Sequence, residues 1–567
     1  MNCREALSLL IIVLLSLSLL PALAQYTPVP EQENWQEIIV HVIPSNYYSS
    51  GSASVWIEEF GRVVVFNIGD AGGFAGVTVR IPLGLGGFNG TLSSIYDFGF
   101  EFRYDVEVPS VYLVIDVTTP NGTQYLLRGN ATTLPLQWQL LTAVSSSVEW
   151  CVGTWDGVNP ESLELVECGL SFWDALATLL PDSAVNSLGL YYSSESAQAE
   201  IYSWVYFNGE YYYLTIGSAY DHAGDGYTIL IHSGHYSYWD LMPSYYWDSI
   251  PFYMKEIVTL GTSYYRNVVI KGEDRNLTKL VNPRISIYYY IENLELSSLT
   301  VFINKPQAWI SLSEINGLAI VNSTFIVNVS SKSVTEWEYY EPLQVNANGV
   351  YIANSAFNVI IDNVKLEGGG IDAVLLYVRT SNDISIVNVS THMYIGDIEL
   401  LGTYSGIFIR GIRAEDSNGI WHAHSLLTLW AGGDFSGSGH MSLDITMVEL
   451  HGVAGVHILG NNFTATITPT ISSVDVFYSY TCIEIHQGND LYVEGNAINL
   501  VHGVPRVGVE GILLEEVNNT VVYGNVIEGN VLHEEGFIDS YGVVIASMYR
   551  YIDEKTQAFK RCSGDRQ

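Results

Sequence analysis

The segments SNDISIVNVS (residues 381–390), GNDLYVEGNAINL (488–500) and VNNTVVYGNVIEGN (517–530) decide how this chain folds. Each is a short β-rich run closed by an asparagine. The same closure recurs at Asn322, Asn363, Asn388, Asn461, Asn496 and Asn525, with gaps of 41, 25, 73, 35 and 29 residues. The gap of 25 reads as one turn of a solenoid, 73 as close to three, and the others as a turn with an insertion. Six residues earlier a second amide or acid stands in four cases, at Asn316, Asn382, Asp490 and Asn519. Short strands with one Asn per turn are what a parallel β-helix requires. Asn tolerates the left-handed backbone of a corner, and its amide can bond the Asn of the next coil.

These coils resemble the repeats of the right-handed parallel β-helix, or pectin-lyase-like, superfamily over roughly residues 264–548. The resemblance implies that fold and a range of activities: polysaccharide lyases, glycoside hydrolases, epimerases, periplasmic copper-site maturation proteins and surface adhesins. Lyases of the superfamily hold calcium with carboxylates and abstract a sugar proton with Arg or Lys, whereas its hydrolases cluster Asp residues on one face. The extended Asp-Asp, Gly-His-Gly and Arg-Ile-Lys signatures of its polygalacturonase branch are absent, and Gly439-His440-Met441 only echoes the middle one.

Upstream the grammar differs. Runs such as SVWIEEF, VVVFNI, VYLVIDV and YTILIH alternate apolar and polar residues between turn residues, which reads as an antiparallel β-sandwich over 25–263. A helical interlude is expected near Ser171–Leu180, stopped by Pro181. Between Gly129 and Met254 there is no Lys or Arg, but there are 14 acids, 14 Tyr and seven Trp, a composition that suits both a packed sheet and stacking on sugars. The expected architecture is therefore all-β: an aromatic, acidic sandwich, then the β-helix over 264–548 and a polar tail over 549–567.

Both ends of the chain and its charge speak to location. Residues 1–24 carry Arg4, an apolar run from Ala6 to Leu20 and an Ala-Leu-Ala site, the pattern of a secretory signal peptide. No later window is apolar enough for a membrane span. Export to an extracellular or cell-surface setting follows, with Cys151 and Cys168, 17 residues apart in what reads as a loop and short helix, as the disulfide pair and Cys482 as a core thiol. Sequons stand at Asn89, Asn121, Asn130, Asn276, Asn322, Asn328, Asn388, Asn462 and Asn518. The net charge of -37 arises from 60 acids against 23 bases. Nucleic acid is excluded as a partner, because phosphate binding needs bases to displace counterions.

Chemistry must come from the coils. FIRGIRAED sets Arg410 and Arg413 beside Glu415 and Asp416, a base-and-carboxylate cluster or else a solvated loop ion pair. Nine of 13 His lie between His392 and His533. On a strand, His422 and His424 would share a face, as would Glu484 and His486, with Asp444, Glu449 and His451 between them in sequence. Glu484, His486, His422, His424 and Arg410 are the candidate catalytic set. His422, His424, Asp444 and His451 could hold a transition metal, with Ca²⁺ as the carboxylate alternative. The expected partner is a polysaccharide or cell-surface glycan, cleaved or merely bound. A non-catalytic adhesive stalk and copper-type metal handling stand as alternatives. No G-x-S-x-G, P-loop or paired C-x-x-C occurs.

Overall fold

The computed structural model describes residues 38–546, apart from 238–257 and stretches of one to seven residues between elements. Side chains over much of 331–374 and 401–407 are outside the described set. The signal segment, the polar tail, Asn363 and the side chain of Asn328 therefore lie beyond it. Everything below belongs to one unit that runs from Ile39 onward. None of its described helices is long and apolar enough to cross a membrane.

The first part is the antiparallel sandwich that the alternation predicts. The long strand Val63–Val79 pairs with Ser45–Glu58 along its whole length, with a bulge between Gly51 and Ala53. Its first half also pairs with Ala197–Tyr202 and its second half with Ala184–Ser194, so the same strands feed two layers. One layer continues through Phe98–Tyr104 to Gln139–Thr142; the other continues through Ser110–Thr118, Gln124–Ala131, Val148–Thr154 and Glu164–Leu170. Phe98 meets Trp150 and Phe102 meets Tyr192 between the layers, so the aromatic composition is spent largely on core. The expected helix forms over Phe172–Ala177, with the Ser171 hydroxyl capping Asp174 N. Cys151 and Cys168 are disulfide-bonded, as expected, but they face each other on adjacent strands and not across a loop and helix.

Apart from the parallel contact of Val42 with Tyr213, parallel pairing starts at Tyr227–Ile231, which stacks on Arg266–Gly272, so the first rungs lie upstream of residue 264. From there the chain is a β-helix. One ladder of ten strands runs from Gly234–Ser237 to Val526–Val531, a short four-stranded ladder flanks it, and the remaining coil strands form the third wall. Each later coil repeats one plan: a long strand, a left-handed corner, a six-residue strand, a second left-handed corner and a strand of the ten-stranded ladder.

The coil length corrects the arithmetic of the asparagines. Equivalent residues are 24 apart at Leu299 and Ser323 but 36 apart from Val389 to Ser425 and from Ser425 to Asn461, then 35 to Asn496 and 29 to Asn525. The gap of 73 between Asn388 and Asn461 is thus two coils and a one-residue offset, not three coils. The offset exists because two adjacent columns were merged in the sequence pattern. Asn322, Asn388, His424, Gly460, Gly495 and Gly524 occupy the left-handed corner itself, with φ between 47° and 67°. Asn461, Asn496 and Asn525 follow one residue later and form the amide ladder. Asn461 Nδ2 donates to Asn496 Oδ1 at 3.0 Å, and Asn496 Nδ2 to Asn525 Oδ1 at 2.9 Å.

Asn496 makes four bonds while only 1% exposed: it also accepts from Asn461 N and donates to Ile458 O. Removing its side chain strands donors and acceptors on the two flanking coils, each costing about 1–3 kcal/mol where buried. Asn496→Ala is expected to destabilise by about 3 kcal/mol or more in urea unfolding. Asn519→Ala, which breaks the exposed amide bonds to Asn489 and Asp490, should cost under about 1 kcal/mol.

Candidate active site

The long strands Ile371–Arg379, Tyr404–Glu415, His440–His451, Asp475–His486 and Val507–Glu515 stack in parallel. Register turns their outward residues into columns. Arg410, Thr446, Thr481 and Glu510 form one, and Arg413, Glu449 and Glu484 the next. Glu415, His451, His486 and Glu515 form a third. Between the first two columns each strand bends: Met447 and Val448, or Cys482 and Ile483, both point inward and are buried. The outward side chains flanking the bend consequently lean together, and Thr446 Oγ1 donates to Glu484 Oε2 at 2.8 Å across it. The result is one polar face whose groups come from four successive coils.

Ion pairs knit that face. Arg410 Nη2 donates to Asp444 Oδ2 at 2.8 Å, and its Nε donates to Glu449. Arg413 pairs with Glu415 and stands 3.8 Å from Glu449 Oε2. His451 Nε2 lies 2.9 Å from Glu449 Oε1. His486 lies between two carboxylates, Nε2 at 2.7 Å from Glu484 Oε1 and Nδ1 at 2.8 Å from Glu515 Oε2. The two imidazoles stack, centroids 4.5 Å apart and planes 11° apart. Arg410 and Glu449 are 8% and 6% exposed, so the arginine is a buried strand residue and not a solvated loop partner.

The environments split the carboxyls into two kinds. Burial pushes Glu449 up, but the hydrogen bond from His451 and the charges of Arg410 and Arg413 outweigh it and hold the group at about 2. Glu484 is also held below its ordinary value: burial opposes ionisation, and the bonds from His486 and Thr446 overcome it. Asp444 and Glu510 go the other way. Burial raises both; Arg410 only partly offsets this at Asp444, and Glu484 and Glu515 add repulsion at Glu510. Bonding to Glu484 in turn raises His486. Ionised and proton-retaining carboxyls side by side are the arrangement from which acid–base roles arise.

Of the sequence candidates, Glu484, His486, Arg410, Asp444 and His451 come together here, and Glu484 shares a face with His486 as expected. His422 and His424 do not. The strand carrying His422 ends at Ala423, and His424 sits exposed in the left-handed corner, so the two cannot share a face. His422 points inward, 1% exposed, stacked between Ile386 and Ile458 with neither ring nitrogen bonded. The set His422, His424, Asp444 and His451 is accordingly not gathered as a metal site. No group of three or more His, Cys, Asp or Glu among the described residues is placed to hold a metal. Cys482 is a buried core thiol, its pKa pushed up to about 12 by burial. Asp221 pairs with Arg62, and Asp225 accepts from Arg266 N, which accounts for both as structural groups.

Sequence reasoning missed Thr446, Glu510 and Glu515. Their signal was present: Arg413-Ala-Glu415, Glu449-Leu-His451, Glu484-Ile-His486 and Leu513-Leu-Glu515 are one tripeptide position in four coils. They align only once the spacings of 36, 35 and 29 are known.

No family model matches the chain, and no curated protein matches it. Among solved structures it is similar to the catalytic domain of GH87 alpha-1,3-glucanase, a variant in complex with nigerose. Identity there is 10%, covering 89% of this chain and 98% of that one, with a TM-score of 0.20. It is also similar to a mannuronic acid specific polysaccharide family 6 lyase from human gut microbiota, at 10% identity, 55% and 78% coverage and a TM-score of 0.12. Overlap this low assigns neither a family nor a substrate.

His422 has a clear acid signature. Burial lowers its pKa from 6.5 to about 4. The folded state therefore refuses a proton that the unfolded chain accepts. Its stability contribution is intact above pH 6.5 and drains away as pH falls towards 4, on the order of 3 kcal/mol in all. His422→Ile, matching its column neighbours, should be at least as stable at neutral pH and should lose less stability on acidification. Urea unfolding across that window reads both effects.

Proposed function

We propose that this protein acts on an extracellular polysaccharide at the ion-paired face around Glu484. The observation that carries the reading is the bonded cluster in which Glu484 is held ionised while Asp444 and Glu510 are held protonated to higher pH. Glycoside hydrolysis uses such a pair. Asp444 or Glu510 gives a proton to the leaving glycosidic oxygen as the bond to the anomeric carbon breaks. Glu484 takes a proton from the water whose hydroxide bonds to that carbon. The pectin-lyase-like resemblance of the coils agrees with this use. So does export: residues 1–24 would be removed, and the exposed sequons Asn89, Asn121, Asn276, Asn322, Asn388 and Asn462 would be those open to glycosylation.

A non-catalytic cell-surface protein is the second reading. It is favoured by how fully Arg410, Glu449, His451, Glu484 and His486 satisfy one another, as the members of a structural ladder would.

Reducing-end release from a polysaccharide panel separates the two. Glu484→Gln keeps the bond from Thr446 and the shape of the face but cannot accept a proton. It is expected to lower turnover by at least about a hundredfold, in the range of acid–base catalysis, with little change in melting temperature. Unchanged turnover in that variant, or none in the parent protein beside retained glycan binding, would favour the surface protein.

A further inference from the structure

The charge of the same face points to what it can hold. Six carboxylates converge there: Glu415, Asp444, Glu449, Glu484, Glu510 and Glu515. Against them stand two guanidiniums and two imidazoles, so with one of Asp444 and Glu510 keeping its proton as the acid, five carboxylates still face four bonded cations at most. The cations are also committed. Arg410 is spent on Glu449 and Asp444, Arg413 on Glu415, His451 on Glu449, and His486 on Glu484 and Glu515. Arg379, exposed one coil before Glu415 in the same column, makes no ion pair among the described residues and is one residual cation at the rim.

We infer, resting on the function proposed above, that this face takes glycans whose sugars carry no carboxylate, and that its own rim carboxylates turn uronates away. A uronate laid along the columns would bring its charges against Glu484 on one coil and Glu515 on the next, one strand spacing of ~4.8 Å away. To be welcomed, its carboxylates would have to displace Glu449 from Arg410 or Glu515 from His486, exchanging a preformed pair for an equivalent one and gaining nothing. Proton abstraction beside a uronate carboxyl also needs a cation to neutralise that carboxyl, and Arg410, Arg413, His451 and His486 are all committed. The selection is therefore for neutral sugars, whose hydroxyls can bond to the anionic rim. Glu515, 40% exposed at the outer edge, is the specificity-determining residue that this arrangement singles out.

Binding of the full chain to neutral glucans and to polygalacturonate and alginate tests this by affinity electrophoresis. Salt is varied from about 0.01 M to about 1 M, shortening the screening length from ~30 Å to ~3 Å. Neutral glycans should be retained at least about tenfold more strongly than uronates at low salt, with the gap narrowing as salt rises. Glu515→Gln should narrow the low-salt gap, uronate retention rising relative to neutral retention; a merely structural role for Glu515 would shift both classes by the same factor. Uronates held as tightly as neutral glycans at low salt would overturn the selectivity while leaving the functional reading intact. Retention of neither class would sink the functional reading, and this inference with it.

Discussion

The parallel register between coils is the constraint on which everything else depends. A residue's function here is set by its column, and a column exists only if each coil meets the next at the same phase. Two devices hold that phase. Left-handed corners fix where each strand stops, and the buried amides of Asn461, Asn496 and Asn525 tie the residue after one corner to its counterparts. Because side chains alternate along a strand, a one-residue slip would send Glu484 inward and Ile485 outward. The precision of the ion-pair face is therefore borrowed from amides on another wall.

That dependence explains the shape of the electrostatics. Arg410, Glu449 and His486 come from strands some 35 residues apart, yet their charges are bonded because the bend between columns tips them together. Burial raises the cost of every charge on this face, and pairing returns it unevenly. Glu449 and Glu484 receive enough partners to stay ionised. Asp444 and Glu510 do not, and keep their protons longer. One low-dielectric corner thus generates two kinds of carboxyl from the same side-chain chemistry.

How much of this could be read from the chain follows from the same physics. The all-β class, the sandwich, the helix over Phe172–Ala177 and the asparagine-marked coils are local patterns, and local patterns are visible in sequence. Glu484 with His486 was legible because an i, i+2 pair on a strand needs no other information. His422 with His424 has the same spacing and misled, because a left-handed corner falls between them and nothing in WHAHS marks it. In the coil before, Asn388 fills that corner and in the coil after, Gly460; here His424 does. The partners contributed by Glu510, Glu515 and Thr446 depend on coil length, and the gaps between asparagines mixed two columns and hid it.

The coils also differ in a way that has a history in it. From one coil to the next, the run from the long strand through both corners to the ten-stranded ladder keeps its length. All the shortening from 36 to 29 residues falls between the end of that ladder strand and the bend. Among the described residues, no strand of the four-stranded ladder lies between the last two long strands of this set. Insertions and deletions have thus been admitted at one edge of the cross-section and refused at the other. A lineage could lengthen, trim or decorate that edge freely, while the outward columns of the long strands keep their count.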